Sequence, residues 1–138
     1  MNPQCVVVDA NIAFKALVAT RGDLRDRLDP SATVRAFSPR FLFVELFKHK
    51  ERLVRATRLS EDELLAALHT LVNRLEFVTE ENIPVGTWLE AHRLCHDVDE
   101  NDTPYVALTL HLDGRLWTDD GELKQGLRAK GFDRFYEP

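Results

Sequence analysis

The chain alternates short apolar runs with longer amphipathic stretches, as expected for strands that alternate with helices. Residues 5–8 are apolar without polar alternation, which predicts a strand buried on both faces at the centre of a parallel sheet. Similar but shorter signals predict strands at 33–37, 76–78 and 115–117 and a last edge strand at 135–136. The strand at 115–117 should run parallel to the first through a right-handed crossover. The pattern therefore predicts an α/β fold.

Helical periodicity fills the intervals between these strands. Ser38 as an N-cap with Pro39 at the first helical position predicts a helix that continues to about Ala56. Ser60 and Glu63 form a capping box before another helix. Further helices are predicted at 12–18, 85–96, 104–112 and 122–130, whereas the charged stretch 21–30 could be either a short helix or a loop.

Composition adds limits to this picture. The 138 residues suit a single domain spanning residues 1–138, without repeats or linker-like segments. No apolar run approaches the length of a membrane span, and the first residues lack the basic region of a signal peptide. Cys5 and Cys95 are too few for a disulfide framework. We therefore expect a cytoplasmic protein with reduced thiols and no membrane partner.

The charge of the chain is unevenly distributed. The net charge of −5 argues against a nucleic-acid partner, but residues 35–58 contain seven basic and only two acidic residues. This block could form a basic stripe beside an acidic site, or simply a solvated helix face. The candidate nucleic-acid contacts within it are Arg40, Lys48, Lys50 and Arg52.

Two isolated acids occur in apolar surroundings. Asp9 directly follows the first predicted strand, where open parallel sheets place their ligand crevice, although Asp is also a good N-cap for the helix that follows. Glu45 interrupts an otherwise apolar helix, and a buried carboxylate needs a hydrogen bond, an opposite charge or a metal. An ion pair with Lys48 or His49 is the competing explanation for Glu45.

Further acids lie at corresponding positions later in the chain. Residues 97–102 contain four acids immediately before the helix that Pro104 begins, and Asp119 and Asp120 follow the strand at 115–117. Carboxylates that converge on one crevice repel one another unless a cation is present, and their hard oxygen atoms suit Mg²⁺ or Mn²⁺. A softer metal could use the helical spacing of His92, Cys95 and His96, but no fourth ligand is obvious.

The ordered set of these motifs resembles the PIN-domain nucleases over almost the whole chain. The motifs are Asp9-Ala-Asn11 after a strand, Glu45 in an apolar helix, Asp99-x-x-Asp102-x-Pro-Tyr-Val-Ala-Leu, and Leu-Trp-Thr118-Asp-Asp120. Many members of that family are VapC-type toxins of bacterial and archaeal toxin–antitoxin pairs. The resemblance implies a three-layer α/β/α fold with a mostly parallel sheet of about five strands. It also implies Mg²⁺- or Mn²⁺-dependent hydrolysis of RNA, a homodimer and an antitoxin that blocks the cleft.

The same resemblance implies roles for individual residues. Asp9, Glu45, Asp102 and Asp120 would be the catalytic acids and metal ligands, with Asp99 and Asp119 as further candidate ligands. Either Asp99 or Asp102 could fill the third acidic position, and either Asp119 or Asp120 the fourth. Asn11 and Thr118 would orient ligands or waters.

Two other interpretations use the same acids. A receiver-like or dehalogenase-like phosphoryl-transfer domain also places acids at parallel strand ends around Mg²⁺. A dehalogenase, however, needs an aspartate where Asn11 stands, and a receiver needs a phosphoacceptor at the end of a central strand. A catalytically silent PIN-like binding module predicts an incomplete ligand set, whereas every acidic position is filled here.

Overall fold

The computed structural model describes residues 3–18, 33–56 and 59–138, so the stretch 21–30 lies outside the described residues. Strands and helices alternate along the described chain, as the hydrophobic pattern predicts. The strands are β1 (Gln4–Val8), β2 (Val34–Pro39), β3 (Glu76–Val78) and β4 (Arg115–Trp117). The helices are α1 (Ala10–Val18), α2 (Phe41–Lys48), α3 (Lys50–Ala56), α4 (Glu61–Arg74), α5 (Val85–Cys95), α6 (Thr103–Leu112) and α7 (Gly121–Ala129). Short 3₁₀ helices occupy Glu80–Asn82 and Glu100–Asp102.

The four described strands form one parallel sheet with the order β3-β2-β1-β4. β1 has a neighbour on each side, and Val6, Val7 and Val8 have no exposed surface. This explains the absence of polar alternation, because a side chain on either face of a central strand contacts a helical layer. The α/β/α fold with a parallel central sheet and the central position of β1 are therefore confirmed.

A fifth strand is not formed among the described residues, although the chain begins one. Phe135 makes an isolated parallel bridge with Leu116 of β4. The Leu116 amide donates to the Arg134 carbonyl, and the Tyr136 amide donates to the Leu116 carbonyl, each at 2.8 Å. The predicted edge strand at 135–136 is thus reduced to a single bridge, and the sheet has four strands instead of about five.

The predicted helix at 39–56 is wrong in two respects. Ser38 and Pro39 are the last residues of β2, and the helix begins at Phe41 without a side-chain cap. The residue before a proline favours extended backbone, which extends the strand through Ser38. His49 then separates α2 from α3, so two helices replace the single predicted one.

The predictions for the later helices agree with the structure. Ser60 accepts a hydrogen bond from the Glu63 amide, and the Glu63 side chain accepts one from the Ser60 amide, as expected of a capping box. α6 contains Pro104 in its first turn and packs against α5 and three strands of the sheet. Within the described residues, no helix is long and apolar enough to span a membrane.

A tight turn brings β4 against β1. Asp113 ends α6 in the left-handed conformation, with φ of 51°, and Gly114 follows it. A Cβ atom on Gly114 would lie 2.7 Å from the carbonyl oxygen of Cys5. Only glycine fits this approach without a backbone shift, so the turn fixes β4 beside the central strand.

Candidate active site

The parallel sheet brings the residues after β1 and β4 together. Val8 and Trp117 are register partners at the ends of these strands, and the Asp9 amide donates to the Trp117 carbonyl at 3.2 Å. Asp9 and Thr118 are therefore neighbours at the carboxyl edge of the sheet, although more than a hundred residues separate them in sequence. This edge is where open parallel sheets place their ligand crevice.

Asp9 combines the two roles that its sequence position allows. Its Oδ1 atom accepts the Ile12 amide at 2.9 Å, which caps α1, and its side chain also hydrogen-bonds with Thr118. Only 3% of Asp9 is exposed. Its pKa is raised to about 6, chiefly by burial; the two hydrogen bonds lower it and the negative charges of Asp119 and Asp120 raise it. Asp9 is therefore a capping residue that also belongs to an acidic site.

Glu45 enters the same region from α2. Its Oε1 atom accepts a hydrogen bond of 2.6 Å from the Tyr105 hydroxyl, which reaches it from α6. Tyr105 is almost fully buried. Burial is the main reason why the pKa of its phenol is raised, and the contact with the Glu45 carboxylate is the second. Lys48 and His49 were the alternative partners of Glu45. Among the described residues, neither forms an ion pair with its carboxylate.

Asp102 contributes the third acid, at the N-terminus of α6. Its pKa is raised to about 7, chiefly by burial and then, in decreasing order, by the charges of Asp99, Asp9, Asp120 and Glu45. The charges that act on Asp102 therefore come from four separate parts of the chain. Asp99 is more exposed, and its Oδ1 atom accepts the Asn101 amide at 3.0 Å.

Asp119 and Asp120 follow β4 but have different partners. Asp120 caps α7 by accepting the Leu123 amide at 3.1 Å, while its own amide donates to the Thr118 hydroxyl at 3.1 Å. Asp119 instead forms an ion pair with Lys15 of α1. The charges of both acids raise the pKa of Asp9. Of the two, only Asp120 is among the groups that raise the pKa of Asp102.

The remaining predicted residues lie around this acidic cluster. Asn11 is exposed in the first turn of α1, next to Asp9 in the chain. The candidate nucleic-acid contacts are exposed around α2 and α3, namely Arg40, Lys48, Lys50 and Arg52. Of these, Lys50 lies 3.7 Å from the Glu61 carboxylate.

The donor chemistry of the cluster suits a hard divalent cation. Its oxygen atoms are the ligands that Mg²⁺ and Mn²⁺ prefer, and a cation between Asp9 and Asp102 would relieve the repulsion that raises both pKa values. In the part of the chain that the structure describes, however, no three His, Cys, Asp or Glu side chains lie close enough to hold one ion. Three of the acids already have protein partners, namely Glu45, Asp119 and Asp120. A metal that bound these carboxylates would either replace those partners or bind beside them.

The alternative metal ligands on α5 differ in their exposure and form no metal site among the described residues. Cys95 is buried, and burial raises the pKa of its thiol to about 12. His92 and His96 are exposed, with their rings stacked at 5.3 Å between centroids. The helical spacing of these residues therefore does not bring the thiol and the two imidazoles to one surface.

Two residues of the site escaped the sequence analysis. Tyr105 lies in an apolar helix, where the only signal was that a buried tyrosine hydroxyl usually needs a partner. Lys15 belongs to α1, and its contact with Asp119 joins residues that lie 104 positions apart in sequence. No local spacing could have indicated that pair.

An α/β domain with acids around the carboxyl ends of its parallel strands is thus the class that the fold and the site define. The family model of the PIN domain matches residues 7–136, and the chain belongs to that family. This confirms the family that the sequence motifs resemble, and it does not support the receiver-like or dehalogenase-like interpretations.

A solved structure agrees with this fold. The crystal structure of VapBC2 from Rickettsia felis, bound to a DNA fragment from their promoter, contains a chain similar to this one with a TM-score of 0.66. The two chains are 14% identical, and the match covers 88% of this chain and 92% of that one. At this identity the likeness shows a shared fold. Comparison with curated proteins gives no match.

Proposed function

We propose that this protein is a Mg²⁺- or Mn²⁺-dependent endoribonuclease that hydrolyses phosphodiester bonds of RNA. The observation that carries the proposal is that Asp9 and Asp120 follow the neighbouring strands β1 and β4, and that their charges and that of Glu45 act on Asp102. Burial and mutual repulsion raise the pKa of two of them, Asp9 and Asp102. Such a concentration of buried negative charge is costly for folding, and function is the usual reason why it is retained.

The four converging acids would hold the metal, with Asp99 and Asp119 as outer candidates. A bound divalent ion would supply a water of lowered pKa and positive charge for the phosphate. The protein's own contribution is positioning. The helix cap and Thr118 fix the Asp9 carboxylate, and Tyr105 fixes that of Glu45. Thr118 would also orient Asp120 through its amide, and Asn11 would orient waters at the mouth of the cleft.

Partners and burial support one choice within each of the two acidic pairs, Asp99 with Asp102 and Asp119 with Asp120. Asp119 is paired with Lys15 at the surface. Asp120 is more buried and raises the pKa of Asp102. Asp102 is likewise more buried than Asp99. We therefore assign Asp102 and Asp120 as direct ligands and the other two as supporting acids.

The biological role that we propose is that of the toxin in a toxin–antitoxin pair. The fold shared with a chain of VapBC2 supports this role, as does the length of the match in both chains. A cognate antitoxin would be the protein partner, and we expect a homodimer in the cytoplasm.

Purified protein incubated with labelled RNA and Mg²⁺ or Mn²⁺ tests the proposed activity. We expect cleavage that excess chelator abolishes and that Asp9→Asn reduces by several orders of magnitude, because the substitution removes one charge of the proposed metal site. Cleavage that survives in the variant or in chelator would refute the metal-dependent mechanism. Absence of both cleavage and divalent-ion binding would instead favour the silent binding module.

A further inference from the structure

A lysine lies at the edge of the acidic cluster. Lys15 of α1 contacts the Asp119 carboxylate, and about half of each side chain remains exposed, at 53% and 48%. An exposed ion pair of this kind contributes little to stability. Lys15 therefore remains available to a solvent-borne anion, at a point where RNA would meet a concentration of negative charge.

Aromatic contacts continue from Lys15 towards the basic block. The ring of Phe14, the preceding residue, packs edge-on against His49 with 5.7 Å between centroids. The guanidinium carbon of Arg52 lies 5.9 Å from the centroid of the same Phe14 ring. These contacts hold α1 against α3 and set Arg52 beside the helix that carries Lys15.

Arg52 differs from its basic neighbours in its partners. Arg55 lies 3.7 Å from Glu51, and Lys50 lies 3.7 Å from Glu61, so both have a nearby opposite charge. Among the described residues, no carboxylate forms an ion pair with Arg52, whose side chain is exposed. Arg52 thus contacts α1 through the Phe14 ring and, within that part of the chain, has no carboxylate as an ion-pair partner.

We propose that Lys15 and Arg52 bind phosphate groups of the RNA strand, with Lys15 next to the bond that is cleaved. Lys15 would exchange the Asp119 carboxylate for a substrate phosphate. The resulting path runs from the acidic cluster over α1 to α3. This proposal rests on the proposed ribonuclease function. The two cations would explain how a protein of net negative charge attracts RNA to an acidic cleft.

Three variants and one control test this path. Lys15→Gln and Arg52→Gln remove one positive charge each, whereas Lys15→Arg retains it. Arg93→Gln removes an exposed arginine that is paired with Glu90 on α5, outside the proposed path. The measurements are KM and kcat for RNA cleavage, the dependence of RNA affinity on salt, and the melting temperature.

We expect Lys15→Gln and Arg52→Gln each to weaken RNA binding about three- to tenfold and to lower the slope of log affinity against log salt by about one. Arg93→Gln should retain wild-type affinity, Lys15→Arg should bind RNA more tightly than Lys15→Gln because it keeps the charge, and all four should melt near the wild-type temperature. Wild-type affinity and salt slope in Lys15→Gln would overturn the inference while leaving the ribonuclease proposal intact. If the wild-type protein neither binds nor cleaves RNA with Mg²⁺ or Mn²⁺, the proposed function itself fails.

Discussion

Tyr105 and Glu45 form the contact on which the geometry of the acidic cluster most depends. A carboxylate on an otherwise apolar helix would be free to turn between water and the cleft, but the Tyr105 hydroxyl holds one of its oxygen atoms at 2.6 Å. Tyr105 is itself fixed, because only 1% of it is exposed. We infer that Tyr105 is a positioning residue that acts through Glu45.

Tyr105→Phe should therefore reduce RNA cleavage and Mn²⁺ affinity by about tenfold, as is typical when a residue that orients a metal ligand is lost. Glu45→Gln should also reduce activity but change the melting temperature little, because the amide oxygen can still accept from Tyr105 and acidic repulsion falls. In the Glu45→Gln background, Tyr105→Phe should have almost no further effect on cleavage.

Tyr136→Phe is the matched control, since it makes the same chemical change on a ring that packs against Trp117. It should cleave RNA at the wild-type rate. Independent, additive losses from Tyr105→Phe and Glu45→Gln would show that Tyr105 does not act through Glu45.

Among the strands and helices, two backbone properties determine where a strand ends and how closely two strands approach. These are the missing N–H group of proline and the missing Cβ atom of glycine. Pro39 is the last residue of β2 and the register partner of Val78 in β3, and its backbone has no N–H group to donate to the ladder. The helix that carries Glu45 consequently begins after the strand edge and not within it. Gly114 acts at the start of β4, because only glycine fits there against the backbone of β1. Thr118 and both adjacent acids follow the other end of the same strand.

Gly114→Ala should destabilise the protein by about 1–3 kcal/mol, because the added methyl group meets the backbone of the central strand. Gly86→Ala is the control, since a Cβ atom there meets nothing within 4 Å, and we expect a change within about 0.5 kcal/mol. Chemical denaturation measures both. Equal stability of the two variants would show that the turn can relax.

For the whole molecule, the acidic cluster links stability to pH. Asp9 and Asp102 have folded-state pKa values of about 6 and 7, above their ordinary value of 3.8. Between about pH 4 and pH 7 the folded protein holds protons that the unfolded chain has released. Stability should therefore fall as pH rises through this window, and the whole penalty should be present above it.

The melting temperature of the metal-free protein should accordingly be lower at pH 8 than at pH 5. Asp102→Asn should raise stability at pH 8 by about 1–2 kcal/mol, a figure reduced for the partial exposure of this carboxyl. Asp133→Asn, at an exposed acid paired with Arg128, should bring no such gain. A loss of stability in Asp102→Asn at pH 8 would contradict this expectation.

Mn²⁺ should stabilise the wild-type protein more at pH 8 than at pH 5.

Much of this architecture was predictable because its causes are local. The apolar run of β1 reflects burial on both faces, and each acid that follows a strand must emerge at the same edge of a parallel sheet. Asp9 and Thr118 therefore meet as the sequence indicates.

The parts that could not be predicted depend on distant contacts. Tyr105 and Glu45 lie 60 positions apart in sequence, and Lys15 and Asp119 lie 104 apart. The same limit explains the error at Pro39, where pairing with β3 decides between strand and helix. Local signals at Ser38 and Pro39 are compatible with either.

The central claim is that the converging acids form one metal site. The most direct test is the anomalous difference density of a crystal grown with Mn²⁺ at a concentration that supports cleavage. We expect a Mn²⁺ peak at the carboxyl edge of the sheet, with Asp9 and Asp102 among its ligands. Absence of a peak there, or a peak elsewhere with these carboxylates unliganded, would contradict it.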